Sequence, residues 1–498
     1  MIGLIIVGHL ASSDRAVLLY SDGDSLLNAL VVQSIAAGQA QHWMMSTVLF
    51  IPELIVYGAL SLLGLSPSAT LTLNAIVNVM ALYAAFRYVA GSLNISRHPV
   101  GASLSAFALF GLLTLSDHSS DRNSLELASL LATTTYYSTT IIATVLVIGI
   151  SSRLVEEPRQ RIASRLFLLV GIVAISTLSN PIFTAWATIP LSVVLAALTA
   201  SRFLNRRRAT TVFAAVLVGS LLGFICRIPL GDMTGNSAAG YLQPNQWHAS
   251  ANYYFKLAVD RVHRPEFIII VIIGVLSLGA GITCTILAFR RRMPGTLFIA
   301  MASWFVPLST VAGAVILGTH AARYLQPIVF MPLLAIVILP RMLTGRSTHK
   351  VASLRVIAVC GSVALAAFIA AGFFSVPRMM AGVALSNSNP SLKCVTNWIN
   401  ASGRVGAGQY WTVRAPKLHL KNPRQLVQVD YHLNPYTWLV NRADYENVSV
   451  TFLITAAEQF PFDLPKDLRN VRTTKIKCGT YTITDFGGTQ LPLGPPHS

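Results

Sequence analysis

Of 498 residues only 11% are charged and 53% are hydrophobic, and the mean hydropathy is +0.60. Apolar runs of about twenty residues recur, the length that crosses a bilayer as a helix, so a soluble core is excluded. The net charge of +18 sits mostly on arginines in short loops between those runs. That is the positive-inside pattern of cytoplasmic loops, with no basic face or tail of the kind nucleic acid needs.

In chain order, residues 1–11 are apolar but reach only about 16 Å as a helix, too short to cross alone. Either the helix continues through Ala16 to Leu19 or the chain starts upstream of Met1; no basic segment precedes it as in a secretory signal. Tyr20-Ser21-Asp22-Gly23-Asp24 follows, two carboxylates one residue apart at the first membrane exit. Residues 26–37 are read as a short amphipathic helix on the surface, ended by Gly38.

Residues 48–65 look like a span, but counting them as one puts Asp117 to Glu126 inside and Arg87, Arg97 and His98 outside, against the charge rule. They are therefore expected to form a re-entrant or interfacial helix starting at Pro52-Glu53, within a first outer loop of 12–68. Glu53 and Tyr57, one turn apart, would share a face towards an outer cavity. Ten further spans are expected at 69–89, 100–116, 130–150, 166–178, 183–200, 211–228, 267–289, 296–317, 324–342 and 356–374, eleven in all.

The inner loops then collect Arg153, Arg159, Arg161 and Arg165, then Arg202 and Arg206 to Arg208, then Arg290 to Arg292, then Arg341, Arg346, Lys350 and Arg355. The N-terminus is expected to be cytoplasmic and everything after Phe374 extracytoplasmic. The fold class is an α-helical polytopic membrane protein (1–375) of the plasma membrane, with a small extracytoplasmic β-rich or α+β domain (376–498). Cys394 and Cys478 bracket most of that domain, whereas Cys226, Cys284 and Cys360 lie in apolar spans. Outside the membrane the first two read as a disulfide, the alternative being a pair of buried thiols.

Three readings of Asp22 and Asp24 stand together. One carboxylate is a general base, with Asp22 favoured because it is nearer the membrane exit; or the pair holds Mg²⁺ or Mn²⁺; or Asp-Gly-Asp is a turn and helix cap. Asp117, Asp121 and Glu126 in the next outer loop either complete an acceptor site or belong to a solvated loop. The longest loop, 229–266, offers Trp247, His248, Tyr253 and Lys256 as substrate contacts, although interfacial aromatic belts have the same composition. After residue 376, Tyr410, Trp411, Asp430, Tyr431 and Arg442 suit a carbohydrate surface, while Trp411 and Trp438 read equally as core.

His320-Ala321-Ala322-Arg323-Tyr324-Leu325-Gln326-Pro327 opens the tenth span. A guanidinium there is either a bidentate phosphate clamp or an interfacial anchor. The stretch resembles the Arg-Tyr-Leu-x-Pro segment of the GT-C membrane glycosyltransferases, the superfamily of protein mannosyltransferases and aminoarabinose transferases. The acidic motif after the first span and the Phe50-Ile51-Pro52-Glu53 helix are similar to that family in order and place. Asp-Gly-Asp stands where many members have Asp-Glu, Glu53 where a second Pro is common, and Gln326 where Leu is usual.

The resemblance implies an inverting transferase fed by a polyprenyl-phosphate sugar, acting on an envelope glycan, lipid or protein among the membrane lipids. It implies Asp22 or Asp24 as base, Glu53 and the second-loop acids at the acceptor, and Arg323 with Tyr324 at the donor phosphate. The competing classes are a transporter or flippase of a lipid-linked glycan and a non-catalytic glycan-binding membrane protein. Ionisable residues gathered at one rim favour the enzyme.

Overall fold

The computed structural model describes residues 1–92, 99–156, 162–235, 243–343, 371–457 and 459–497. Among the described residues, seven helices are long and apolar enough to cross a membrane: Pro67–Ser92, Ser138–Glu156, Ile162–Ser179, Arg206–Met233, Phe267–Arg290, Pro294–Ile316 and Ala322–Leu343. Ile2–Ser12, Pro99–Leu115 and Thr184–Ala200 are shorter apolar helices. Together they correspond to ten of the eleven expected segments. Most of the eleventh, and with it Arg346, Lys350, Arg355 and Cys360, lies outside the described residues, as do Arg97, His98, Arg159 and Arg161. The chain is a polytopic helical membrane protein with a small β-containing C-terminal region.

Packing follows from small residues where helices meet. Arg206–Arg227 lies against Ile162–Ser179 through Gly219 and Gly223, one turn apart. A Cβ at either would come 2.8 Å from Val173 or 2.6 Å from Thr177, so only glycine permits this approach. On Phe267–Arg290, Ile268, Val275 and Leu276 stay exposed, as expected of a face turned to lipid.

Two expectations are corrected. The helix at Leu27–Ala36 is not on the surface: Leu27, Asn28, Ala29, Leu30 and Val31 are buried. It is covered by the eleven-residue helix Ile51–Ser61 and by Tyr410–Leu418 from the C-terminal region. The span expected at 130–150 starts only at Ser138, because Ser129–Ala132 is a 3₁₀ turn and 133–137 is irregular and buried. Irregular backbone is tolerated there only if its polar groups find partners inside the protein. Three side-chain amides provide them: Asn78 donates to the Thr133 carbonyl at 3.0 Å, Asn28 to Thr134 at 3.0 Å, and Gln326 to Tyr136 at 2.9 Å. The tenth segment is also interrupted, at Met331-Pro332, between Pro327–Phe330 and Leu333–Leu343.

The C-terminal region holds a five-stranded mixed sheet in the order Leu426–Gln428, Val405–Gly408, Val450–Ala456, Tyr481–Asp485, Thr474–Cys478. The first three strands are parallel to one another, and Tyr481–Asp485 is antiparallel to both of its neighbours. Pro390–Ser402 and Tyr410–Leu418 pack on one face through Val395, Ile399 and Val413 against Phe452 and Ile454. Cys394 and Cys478 form a disulfide between that first helix and the edge strand. A second sheet, Trp43–Met44 with Val440–Asn441, ties the first loop to the C-terminal region.

Candidate active site

The Asp22-Gly23-Asp24 turn is built to present one carboxylate and anchor the other. Asp22 is buried and every oxygen has a donor: Oδ1 accepts from the Ser25 N–H at 3.0 Å and the Tyr136 hydroxyl at 2.9 Å, and Oδ2 from Arg122 at 3.2 Å. Burial, and next the Asp24 charge, hold the Asp22 carboxyl above the usual carboxylate range. It is thus Asp22 that caps the turn.

Asp24 is half-buried and opens onto a cavity of about 270 Å³. The Tyr410 hydroxyl donates to its Oδ1 at 2.6 Å, and Arg414 donates to the Gly23 carbonyl at 2.6 Å. A Cβ on Gly23 would come 2.9 Å from the Tyr410 ring, 3.0 Å from Trp411 and 3.1 Å from Arg414. The glycine is needed for the C-terminal region to close over the turn.

Arg323, at the start of the tenth segment, lines the same cavity. Its Nε donates to the Tyr137 hydroxyl at 3.3 Å, and the guanidinium lies 5.8 Å from the Tyr136 and Tyr324 ring centres. It forms no ion pair with a carboxylate among the described residues. Tyr137 and Phe50, whose rings are stacked, both have left-handed backbones, with φ of 64° and 51°. Such strain persists only where the surroundings over-determine it, here at the mount of a guanidinium. The other walls come from Arg122 and Asn123, from His320, and from Trp411, Tyr436 and Trp438.

Other candidate residues lie elsewhere. Glu53 and Tyr57 are buried, and Thr139 donates to Glu53 Oε1 at 2.5 Å; neither lines the cavity. Asp117 and Glu126 are buried in an ion cluster: Arg15 lies 3.9 Å from Asp117 and 3.8 Å from Glu126, and Arg261 pairs with both. Asp121 is exposed and accepts from the Asn123 N–H at 2.8 Å, a local turn. The loop therefore reaches the cavity with Arg122 and Asn123 and not with its acids.

Trp247, His248 and Lys256 are exposed away from the cavity, the Trp247 indole N–H donating to the Ile316 carbonyl, while Tyr253 packs edge-on to His320 at 5.5 Å. The aromatic wall is instead formed by residues 410–438. Trp411 is 47% exposed, and the structure places it at the cavity and not in the core. Nothing local in the sequence signals that these residues meet Asp24; the adjacent Tyr410-Trp411 pair, at the start of a helix, is the one available hint.

A divalent ion is not matched by these residues. Among those described, no three His, Cys, Asp or Glu side chains gather, Asp22 accepts three hydrogen bonds, and Arg122 and Arg323 share the cavity with Asp24.

The fold is a membrane helix bundle whose polar cavity is closed by a small mixed-sheet region. Among solved structures it is similar to the crystal structure of ArnT from Cupriavidus metallidurans in the apo state, with a TM-score of 0.53 over 97% of this chain and 96% of that one. Identity is 13%, so the likeness is one of fold. No family model matches the sequence, and no curated protein matches it.

Proposed function

We propose that the protein transfers a sugar from a polyprenyl-phosphate-linked donor to a cell-envelope acceptor, on the extracytoplasmic side of the plasma membrane. The observation that carries this reading is Arg323, a guanidinium with no carboxylate partner among the described residues, in the same cavity as Asp24. A planar fork in that position suits a carrier phosphate, and its charge offsets the negative charge that grows on the phosphate as the sugar leaves.

The acceptor hydroxyl attacks the anomeric carbon, and the bond from that carbon to the phosphate oxygen breaks with its electron pair going to the phosphate. The configuration inverts, and Asp24 takes the hydroxyl proton. Asp24 is preferred to Asp22 as base because Asp22 already accepts three hydrogen bonds, whereas Asp24 faces the cavity. The ArnT-like fold supports a lipid-linked sugar transferase in general.

Membranes supplied with a radiolabelled polyprenyl-phosphate sugar test the reading, with and without EDTA. Asp24→Asn keeps the shape but lowers transfer by on the order of 10²- to 10⁴-fold, and Asp22→Asn lowers it less. Unchanged transfer in both variants removes the base. A wild type that moves the lipid across the bilayer and transfers nothing is a flippase.

A further inference from the structure

The C-terminal wall of the cavity has a composition that the donor reading does not use. Trp411, Tyr436 and Trp438 line it, although large aromatics of a small domain normally go inside. Trp411 is held in plane by Tyr410, edge-on at 4.6 Å between ring centres, yet remains 47% exposed. Trp438 is backed by Gly235, where a Cβ would come 3.3 Å from its ring, and Tyr436 meets Tyr410 edge-on at 6.2 Å. These are rigid rings facing a polar space.

The Arg122 guanidinium lies 3.7 Å over the Trp411 ring. A flat group with electropositive edges thus already occupies the negative face of the indole. The face of a sugar ring has the same character, a plane of polarised C–H groups with hydroxyls around it. Asn123, His320 and Asp24 lie along the same cavity to meet those hydroxyls. An apolar chain has a different place: a cavity of about 330 Å³ lined by Val31, Trp43, Leu54 and Leu230 shares no residue with this one.

We propose that Trp411, Tyr436 and Trp438 form the acceptor subsite and that the acceptor is a saccharide, its ring stacked on Trp411 in place of Arg122. This rests on the transferase reading and narrows its acceptor. The geometry relates the stack to the chemistry: Tyr410, edge-on to Trp411, bonds Asp24 at 2.6 Å, so a hydroxyl of the stacked ring comes next to the proposed base.

The test needs no donor. The full-length protein in detergent is mixed with insoluble envelope polysaccharide from the producing cells, freed of protein and lipid, and co-sedimentation is measured for the wild type, Trp411→Ala, Trp438→Ala and Trp411→Phe. The wild type should bind, the alanine variants at least tenfold more weakly, and Trp411→Phe within a few fold of wild type. None of these changes alters charge, so attraction of the +18 protein to an acidic polymer is common to all. No binding by the wild type, or equal binding by the alanine variants, overturns the proposal. Polyprenyl-monophosphate binding is measured on the same samples and should be unaffected by the tryptophan changes. Its absence in the wild type, with tryptophan-dependent sedimentation intact, sinks the donor reading while the saccharide subsite stands.

Discussion

Arg323 lines the cavity whereas Asp22 is buried, and what each touches separates their roles. Arg323 is mounted on tyrosines, with Tyr137 as its hydrogen-bond acceptor. Arg323→Lys keeps the cation and loses the planar fork, so polyprenyl-phosphate binding should weaken about tenfold, and more in Arg323→Ala, with the protein still folded. Equal binding in all three would make Arg323 an interfacial anchor. Asp22 is held above the usual carboxylate range, first by burial and then by Asp24. A carboxyl raised on folding contributes stability that is fully present below its unfolded value, about 3.9, and is lost as pH rises through the folded value. Asp22→Asn cannot ionise, so at neutral pH it should melt no lower than the wild type, and any advantage should vanish on acidification towards pH 4. A variant that melts lower only at neutral pH would show that the Arg122 pair outweighs burial.

Elements were legible where the membrane itself sets the rule. Apolar length and arginine position locate the helices because lipid leaves the backbone no other partners. The 126–137 segment escaped that logic: Leu130, Leu131 and Ala132 are apolar enough for a span, and its irregular course depends on amides at Asn28, Asn78 and Gln326 that are distant in sequence. The contact between Tyr410 and Asp24, 386 residues apart, is invisible for the same reason. Asp117 and Glu126 were legible as charges but not as partners of Arg15 and Arg261, which draw them inward. Glu126 also accepts from the His118 and Ser119 N–H groups, both at 2.6 Å. Glu126→Gln leaves buried guanidinium charge uncompensated, a loss of roughly 3–5 kcal/mol. The melting temperature should drop and amides of residues 117–128 should exchange faster with deuterium, whereas a variant as stable as wild type would reduce the cluster to incidental charge.

At the scale of the whole molecule, the reaction scheme depends on which side of the bilayer holds the cavity. The arginine-rich ends of the spans lie opposite the Asp22 turn in the expected topology, which puts the sheet region and the cavity outside the cell. The Cys394–Cys478 disulfide points to the same side, since such a bond persists in an oxidising compartment. Its two cysteines are 84 residues apart, and closing a loop of that length removes unfolded-state entropy equivalent to about 4.5 kcal/mol. The bond therefore bears on folding as well as topology. A membrane-impermeant protease added to intact cells or right-side-out vesicles should cut within residues 376–498. Fragments from a cut between the two cysteines should stay joined on a non-reducing gel and separate after reduction. Cys394→Ala should make the same region cleave faster and come apart without reductant. Protection of the region in intact cells, with cleavage only after lysis, would invert the topology and place the proposed base and phosphate clamp on the cytoplasmic side.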